Sequence, residues 1–517
     1  MVAPLTRHAE ARAAFAAEHS AVHRSSTKTG RDMSPDPKFQ AALALHRFGL
    51  GPKPDSIAAI ASDPRAALMA EIDQPGAGLI IDATLMSASQ AARLAFNFRE
   101  ERQAREIAQA MAEKERAGSM GAESATEAKP AVAAKPGTGG GAAKPGQAPQ
   151  EPGVPQRIFR SEARARFAAA NAATVGFVER LAWFWSNHFC VSSDFVPVLA
   201  GGYEREAIRP HVLGRFADML VAAESHPAML LYLDNARSVG PKSVAGLIVK
   251  VGLNENLARE ALELHTLGVR TGYTQDDVIS FAKVLTGWTV LPAATDPQHG
   301  VEFVFNPRQH EPGPQVVIGK TYEQSGAAQG RAVFADLARH PATAEHIGRK
   351  LARHFVADDP PESLARRVAQ RFQDTDGDLK EIAKALIESP EMWEGPLRKL
   401  KRPNEWLHAT RRATNEPGGD MVRALRARAI MGEPLWRPPA PQGFADTQGP
   451  WVDGLAQRLD IAERVAERNA ASLDPQDLLE TALGPLASAE TRRAITRAES
   501  RQQAITLALM APEFNRR

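Results

Sequence analysis

The sequence predicts a mainly α protein: a multi-helix globular bundle with one small β-hairpin near residues 301–319 and a disordered Gly/Ala/Pro/Lys-rich insertion. Three observations lead there. Apolar residues recur at i, i+3, i+4 and i+7 over most of the 517-residue chain, the spacing of an amphipathic helix. β-Prone runs are confined to 301–305 (Val-Glu-Phe-Val-Phe) and 316–318 (Val-Val-Ile), either side of a Pro/Gly-rich turn. Between 118 and 156 the chain turns abruptly into Gly, Ala, Pro, Lys and Glu, including Gly139-Gly140-Gly141. That stretch cannot bury enough apolar surface to offset its ordering entropy.

In chain order, residues 1–37 read as a disordered arm, because helical patterning begins only near Phe39. A helix over 39–47 stops at Gly49 and Gly51, and Pro54-Asp55-Ser56 opens the next. The first part of the helical domain, 38–117, ends in a long charged helix from 88 that has no breaker. Helix resumes at Ile158 and runs to Phe189, so the insertion sits at the tip of a helical hairpin and the domain continues over 157–517. Further helices follow at 203–232, 254–267, 274–287, 330–338, 341–356, 361–373, 378–388 and 403–413. Asp374-Thr375-Asp376-Gly377-Asp378 has the wrong spacing for a calcium loop and instead caps the helix starting at Leu379.

Composition narrows the function. A net charge of +2, with arginines scattered beside acidic residues, describes exposed helix faces and gives no basic stripe for nucleic acid. No window carries the roughly 18 apolar residues of a membrane span. The single cysteine, Cys190, lies between Phe189 and Val191 and reads as a buried, inert thiol. With no secretory signal as written, the chain reads as cytoplasmic, export by another route being left open.

Three constellations carry candidate chemistry. Residues 254–268 (Asn-Glu-Asn-Leu-Ala-Arg-Glu-Ala-Leu-Glu-Leu-His-Thr-Leu-Gly) place Asn254 or Asn256 as a helix cap. Leu257, Ala261 and Leu264 form the buried stripe there, and Gly268 is the stop. Arg259 can pair with Glu255 or Glu263, which leaves Glu260 as the candidate functional carboxylate, a structural role being equally open. In 181–189, Leu181, Phe184, Trp185, His188 and Phe189 share one aromatic face. His188 there is either a hydrogen-bonded core residue or a metal ligand or acid/base group. In Gln309-His310-Glu311-Pro312-Gly313, the hairpin turn presents His310 as a pre-positioned loop histidine or an ordinary polar turn. HExxH, P-loop, GxSxG and Rossmann signatures are missing.

These stretches also carry a resemblance. His46-Arg47-Phe48-Gly49, residues 183–189 and 254–268, Leu285-Thr286-Gly287-Trp288, His340-Pro341, Lys350-Leu351-Ala352 and Trp436-Arg437-Pro438-Pro439-Ala440-Pro441-Gln442-Gly443-Phe444 stand in one order. The chain resembles, over roughly 38–515, a bacterial family catalogued as a domain of unknown function. The resemblance implies a mostly helical fold and no established activity. It also implies gene neighbourhood with a second uncharacterised family that looks sulfatase-like. Relatives often carry His-Asp where this chain has His310-Glu311.

The expectation that follows is one pocket built from His188, Asn254, Glu255, Glu260 and His310, walled by Trp288 and Trp436. Mixed His and carboxylate ligands, with His188 and Glu260 foremost, would suit a divalent metal such as Zn, Mn or Fe. Without metal, Glu260 or His310 would act as a general base. The enzyme so described is hydrolase-like. The competing expectation is an accessory or maturation partner of the sulfatase-like protein, docking through the Trp/Pro loop at 436–451.

Overall fold

Proline and short polar caps decide where helices start. In the computed structural model, Pro37 opens Pro37–Arg47. Asp63 accepts the Ala66 N–H ahead of Pro64–Asp73, and Thr274 and Asp277 form a reciprocal capping box on Gln275–Leu285. His226 and His340, each followed by proline, cap Pro227–Tyr232 and Pro341–Phe355 through Nδ1. Asp378 caps Leu379–Glu388, as its spacing predicts. The structure describes residues 36–120, 152–248, 252–295, 300–416 and 420–517. The predicted disordered arm (1–37) and the predicted insertion (118–156) lie almost wholly outside them.

The chain is mainly α, and Pro37–Arg517 forms one compact unit. The helices flanking the insertion, Ala88–Met120 and Val154–Ala172, pack together through Ala91, Leu94 and Phe98 against Val154 and Ile158. A larger core gathers around Trp185, Phe216, Phe281 and Phe355. A second lies among Pro403–Ala413, Leu455–Asn469, Pro475–Ala482 and Arg501–Met510, around Trp406, Leu478 and Leu509. Among the described residues no helix is long and apolar enough to cross a membrane.

Four local predictions need correction. The helix expected over 203–232 is a π-turn, Glu204–Ile208, and two α-helices, Phe216–Ser225 and Pro227–Tyr232, with Arg215 and His226 extended ahead of each. The helix expected from 158 to 189 is two, Val154–Ala172 and Phe177–His188. It breaks at Gly176, whose φ of 93° is left-handed. There the Glu71 carboxylate, from another helix, accepts the N–H groups of Val175, Gly176 and Val178. In 254–268 an α-turn, Asn256–Glu260, gives way to a π-turn, Ala261–His265. The wider turn brings His265 inward beside Ala261 and Leu262, and Leu264 is only half-buried.

The β content also differs in pairing. Glu302–Phe305 pairs antiparallel with Trp288–Leu291, and Gln315–Val317 pairs with Lys320–Tyr322. The two predicted strands thus belong to separate hairpins. A tight two-residue turn, Ile318 at φ 50° and Gly319 at φ 70°, closes the second one locally.

A buried charged cavity beside a histidine–lysine pair

The helix Phe177–His188 supplies one wall of the candidate site. Its C-terminal end is held by a distant segment: Asn187 Nδ2 donates to the Phe444 carbonyl at 3.0 Å, and the Phe444 N–H donates to Asn187 Oδ1 at 2.9 Å. Gly443, at φ 80°, permits this approach, since a Cβ there would lie 2.5 Å from the Asn187 carbonyl oxygen. Cys190 donates to the Pro441 carbonyl at 3.1 Å, and burial pushes its thiol up to about 12. The thiol is therefore protonated and unreactive.

Trp436 is pinned harder. Its backbone sits at φ 49°, its carbonyl accepts the Ser193 N–H at 2.7 Å, and its indole N–H donates to Glu204 Oε2 at 2.9 Å. Glu204 lies on the π-turn Glu204–Ile208. Burial alone would raise its carboxyl, but the Arg166 and Arg209 guanidinium groups outweigh it and hold it down at about 2. Arg209 in turn bonds Glu179 at 2.7 Å.

Between these elements lies a small cavity of about 50 Å³. Arg166, Trp183, Ser186, Cys190, Arg402, Arg428, Glu433 and Trp436 are among the residues that line it.

On the other side of Cys190 stands a column of ring and amine groups. His188 Nε2 lies 3.1 Å from the His265 carbonyl oxygen, and its Nδ1 lies 2.8 Å from Lys350 Nζ. The carbonyl can only accept, so Nε2 carries the proton and Nδ1 accepts from Lys350. Burial, reinforced by Lys350, His265 and His346, holds the His188 imidazole well below the usual histidine range, so it is neutral. His265 Nδ1 meets Glu224 at 2.5 Å.

Lys350, on Pro341–Phe355, keeps part of its side chain accessible. Burial pushes its ammonium down to about 8. One helical turn on, His354 bonds Asp446 at 3.1 Å and also lines the cavity.

The sequence-predicted residues separate into neighbourhoods. His188 and Glu260 share one, because Glu260 precedes the π-turn whose His265 carbonyl receives His188. Glu260 is half-buried, and burial raises its carboxyl, with Glu263 adding to this. Trp436 walls the adjoining cavity. His310 stands elsewhere, its Nδ1 2.8 Å from the Thr286 carbonyl and its ring edge-on to Phe305. Beside it, Glu311 is buried and accepts the Lys242 N–H at 2.8 Å, fastening a loop.

Asn254 makes a local turn, its Oδ1 accepting the Asn256 N–H, and Glu255 joins Arg259 and Gln275 in a half-exposed network. Trp288 is fully buried, its ring against Gly330, Phe303 and Phe334.

The expected divalent metal does not fit this donor set. Both ring nitrogens of His188 are engaged, one of them by an ammonium group that would repel a cation. Among the described residues no group of three or more His, Cys, Asp or Glu side chains is arranged to hold a metal ion.

Sequence reasoning gave Lys350 no role beyond its place in a family stretch, and missed Glu204, Arg166, Arg402 and Arg428. Only Lys350 had a signal: it stands four residues before His354, on the edge of a helix face that also carries Ile347 and Leu351.

The fold and site define a helical protein with a buried charged cavity beside a neutral histidine and a low-pKa lysine. The chain belongs to the family described as Protein of unknown function (DUF1800), whose profile matches residues 43–516. No curated protein and no solved structure matches it.

Proposed function

We propose that the protein is a hydrolase-like acid–base enzyme in which Lys350 is the proton-accepting group. The observation that carries this reading is the 2.8 Å contact of Lys350 Nζ with His188 Nδ1, in an imidazole fixed in one tautomer by the His265 carbonyl. A free-base lysine that donates one N–H to Nδ1 keeps its lone pair for a substrate or water. With its pKa near the working pH, the amine suits general-base catalysis.

Lys350 would take a proton from water as the water oxygen bonds to an acyl or phosphoryl centre. The bond to the leaving group then breaks, and the leaving atom recovers a proton from the Lys350 ammonium, which returns the amine to its free base. His188 acts as a positioning residue. The single buried thiol suits a reducing compartment such as the cytoplasm. The accessory-partner reading has less behind it, since Trp436 and Trp451, expected on an exposed docking patch, are both buried.

The test is hydrolysis of a panel of activated esters, amides and phosphoesters, together with limiting acylation of lysines read by peptide mass spectrometry. Turnover should rise with pH through about 8 and fall about 10²–10⁴-fold in Lys350→Met, the range of a lost general base. Lys350 should be acylated ahead of the exposed Lys320. Turnover indifferent to Lys350→Met, or acylation of Lys350 that begins only near pH 10.5, would overturn the proposal.

A further inference from the structure

The cavity wall holds more positive charge than its carboxylates neutralise. Arg166 is engaged by Glu204 through Nε, and its Nη1 makes no hydrogen bond. Arg402 pairs with Glu433 Oε1, while Glu433 Oε2 accepts the Asn404 N–H at 2.8 Å. Glu405 is taken by the Arg402 N–H, Arg517 and Arg180.

Arg428 has only a distant share of Glu433, which Arg402 holds more closely. Its Nε donates to the Glu433 backbone carbonyl at 3.2 Å, its nearest carboxylate oxygen is 4.0 Å away, and its Nη1 has no partner. Arg428 is only 3% exposed. Burial, reinforced by Arg166 and Arg402 against Glu433, pushes its guanidinium down to about 9. The Trp183 indole N–H on the same wall is also unpartnered.

A buried guanidinium whose one carboxylate is shared and 4.0 Å away is under-compensated, and an uncompensated buried charge typically costs several kcal/mol. Water in the cavity would satisfy hydrogen bonds but not the charge. By the volume one water requires, about 50 Å³ holds roughly three or four waters, which is also room for a small oxyanion.

We infer that this cavity binds a small oxyanion, a carboxylate or phosphate group, with Arg428 as its principal counter-charge and Arg166 and Trp183 as further donors. On the reading of the neighbouring Lys350 as the reacting base, that group is the anionic end of the substrate.

Calorimetric titration of the full chain with inorganic phosphate and with acetate tests this, the two arms separating tetrahedral from planar oxyanions. Saturable binding of one or both, weakened about tenfold or more in Arg428→Gln as expected for a lost charge-assisted contact and partly retained in Arg428→Lys, is the expected result. Absence of saturable binding by either anion, or equal binding in Arg428→Gln, overturns the inference. If Arg428→Gln fails to fold, Arg166→Gln, measured in the same way, decides. Lys350→Met should keep anion binding. Binding without turnover therefore sinks only the enzyme reading, and turnover without binding sinks only the oxyanion site.

Discussion

The indole N–H of Trp436 and Oε2 of Glu204, separated by 232 positions in sequence, meet at 2.9 Å inside the protein. The bond joins a loop residue at φ 49° to a carboxylate already shared by two arginines. Strain of that kind persists only where surrounding contacts over-determine it. Trp436→Phe removes one of three donors to that oxygen and shrinks the ring, and should destabilise the protein by about 1–3 kcal/mol, combining a lost charge-assisted hydrogen bond with a partial cavity. Urea denaturation measures it. An unchanged midpoint would show that the loop is held by its backbone alone.

Gly443 offers a sharper comparison. Ala there must adopt φ 80° and place its Cβ 2.5 Å from the Asn187 carbonyl oxygen, whereas Gly313, at φ 88°, has open space around it. Gly443→Ala should cost at least about 2 kcal/mol, and Gly313→Ala about 1 kcal/mol from backbone strain alone. Thermal unfolding of both variants is the check, and equal shifts would mean that Asn187 yields easily.

Buried histidines set the acid limit. Burial pushes His346 down to about 4 and His354 down to about 3, from 6.5. Below pH 6.5 the unfolded chain binds protons that the folded one refuses, so stability falls as pH drops from about 6.5 to about 3. The depressed Glu204 extends the loss below pH 4.5, towards about 2. Urea midpoints at pH 7, 5 and 4 should fall steadily, and His354→Gln should flatten part of that slope.

The alkaline side has the same sign for Lys350. With its folded pKa at about 8 against 10.5 unfolded, the unfolded chain holds the extra proton between those values, and stability rises with pH there. Cys190, raised from 9.0 to about 12, offsets this gain above pH 9. A rise over pH 8–9 that is shallower in Lys350→Met, where Lys53 with the same depression still contributes, is the expected profile by denaturant titration.

His310→Ala should leave acylation of Lys350 unchanged, because His310 contacts Thr286 and Phe305 and shares no contact with His188 or Glu260. Peptide mapping of the acylated variant reads this directly. A fall in Lys350 labelling would place His310 in the site after all.

The helices were legible because their signals are local: Asp378, Thr274 and the His340-Pro341 pair mark starts by side-chain chemistry within three residues, whereas the start at Pro227 was read through. The break at Gly176 was not, since it depends on Glu71 arriving from another helix. Likewise His188 stood out on its aromatic face, but its partner Lys350 lies 162 positions away on a helix that reads as an ordinary amphipathic one. The buried arginines were the least visible. Arg166, Arg402 and Arg428 sit in charged runs that look solvated until their carboxylates prove to be elsewhere in the chain.

Glu204 and His265 both belong to π-turns, each holding one residue more than an α-turn would. Removing that residue from Glu204–Ile208 would let the segment continue as ordinary helix and swing its downstream side chains by about 100° about the axis. The Arg209 guanidinium that holds Glu204 and the carbonyl under His188 would be displaced by such single-codon deletions, while most of the helical scaffold could still pack. In this architecture the distance between a chemically equipped protein and an inert one is a single residue in either of two turns.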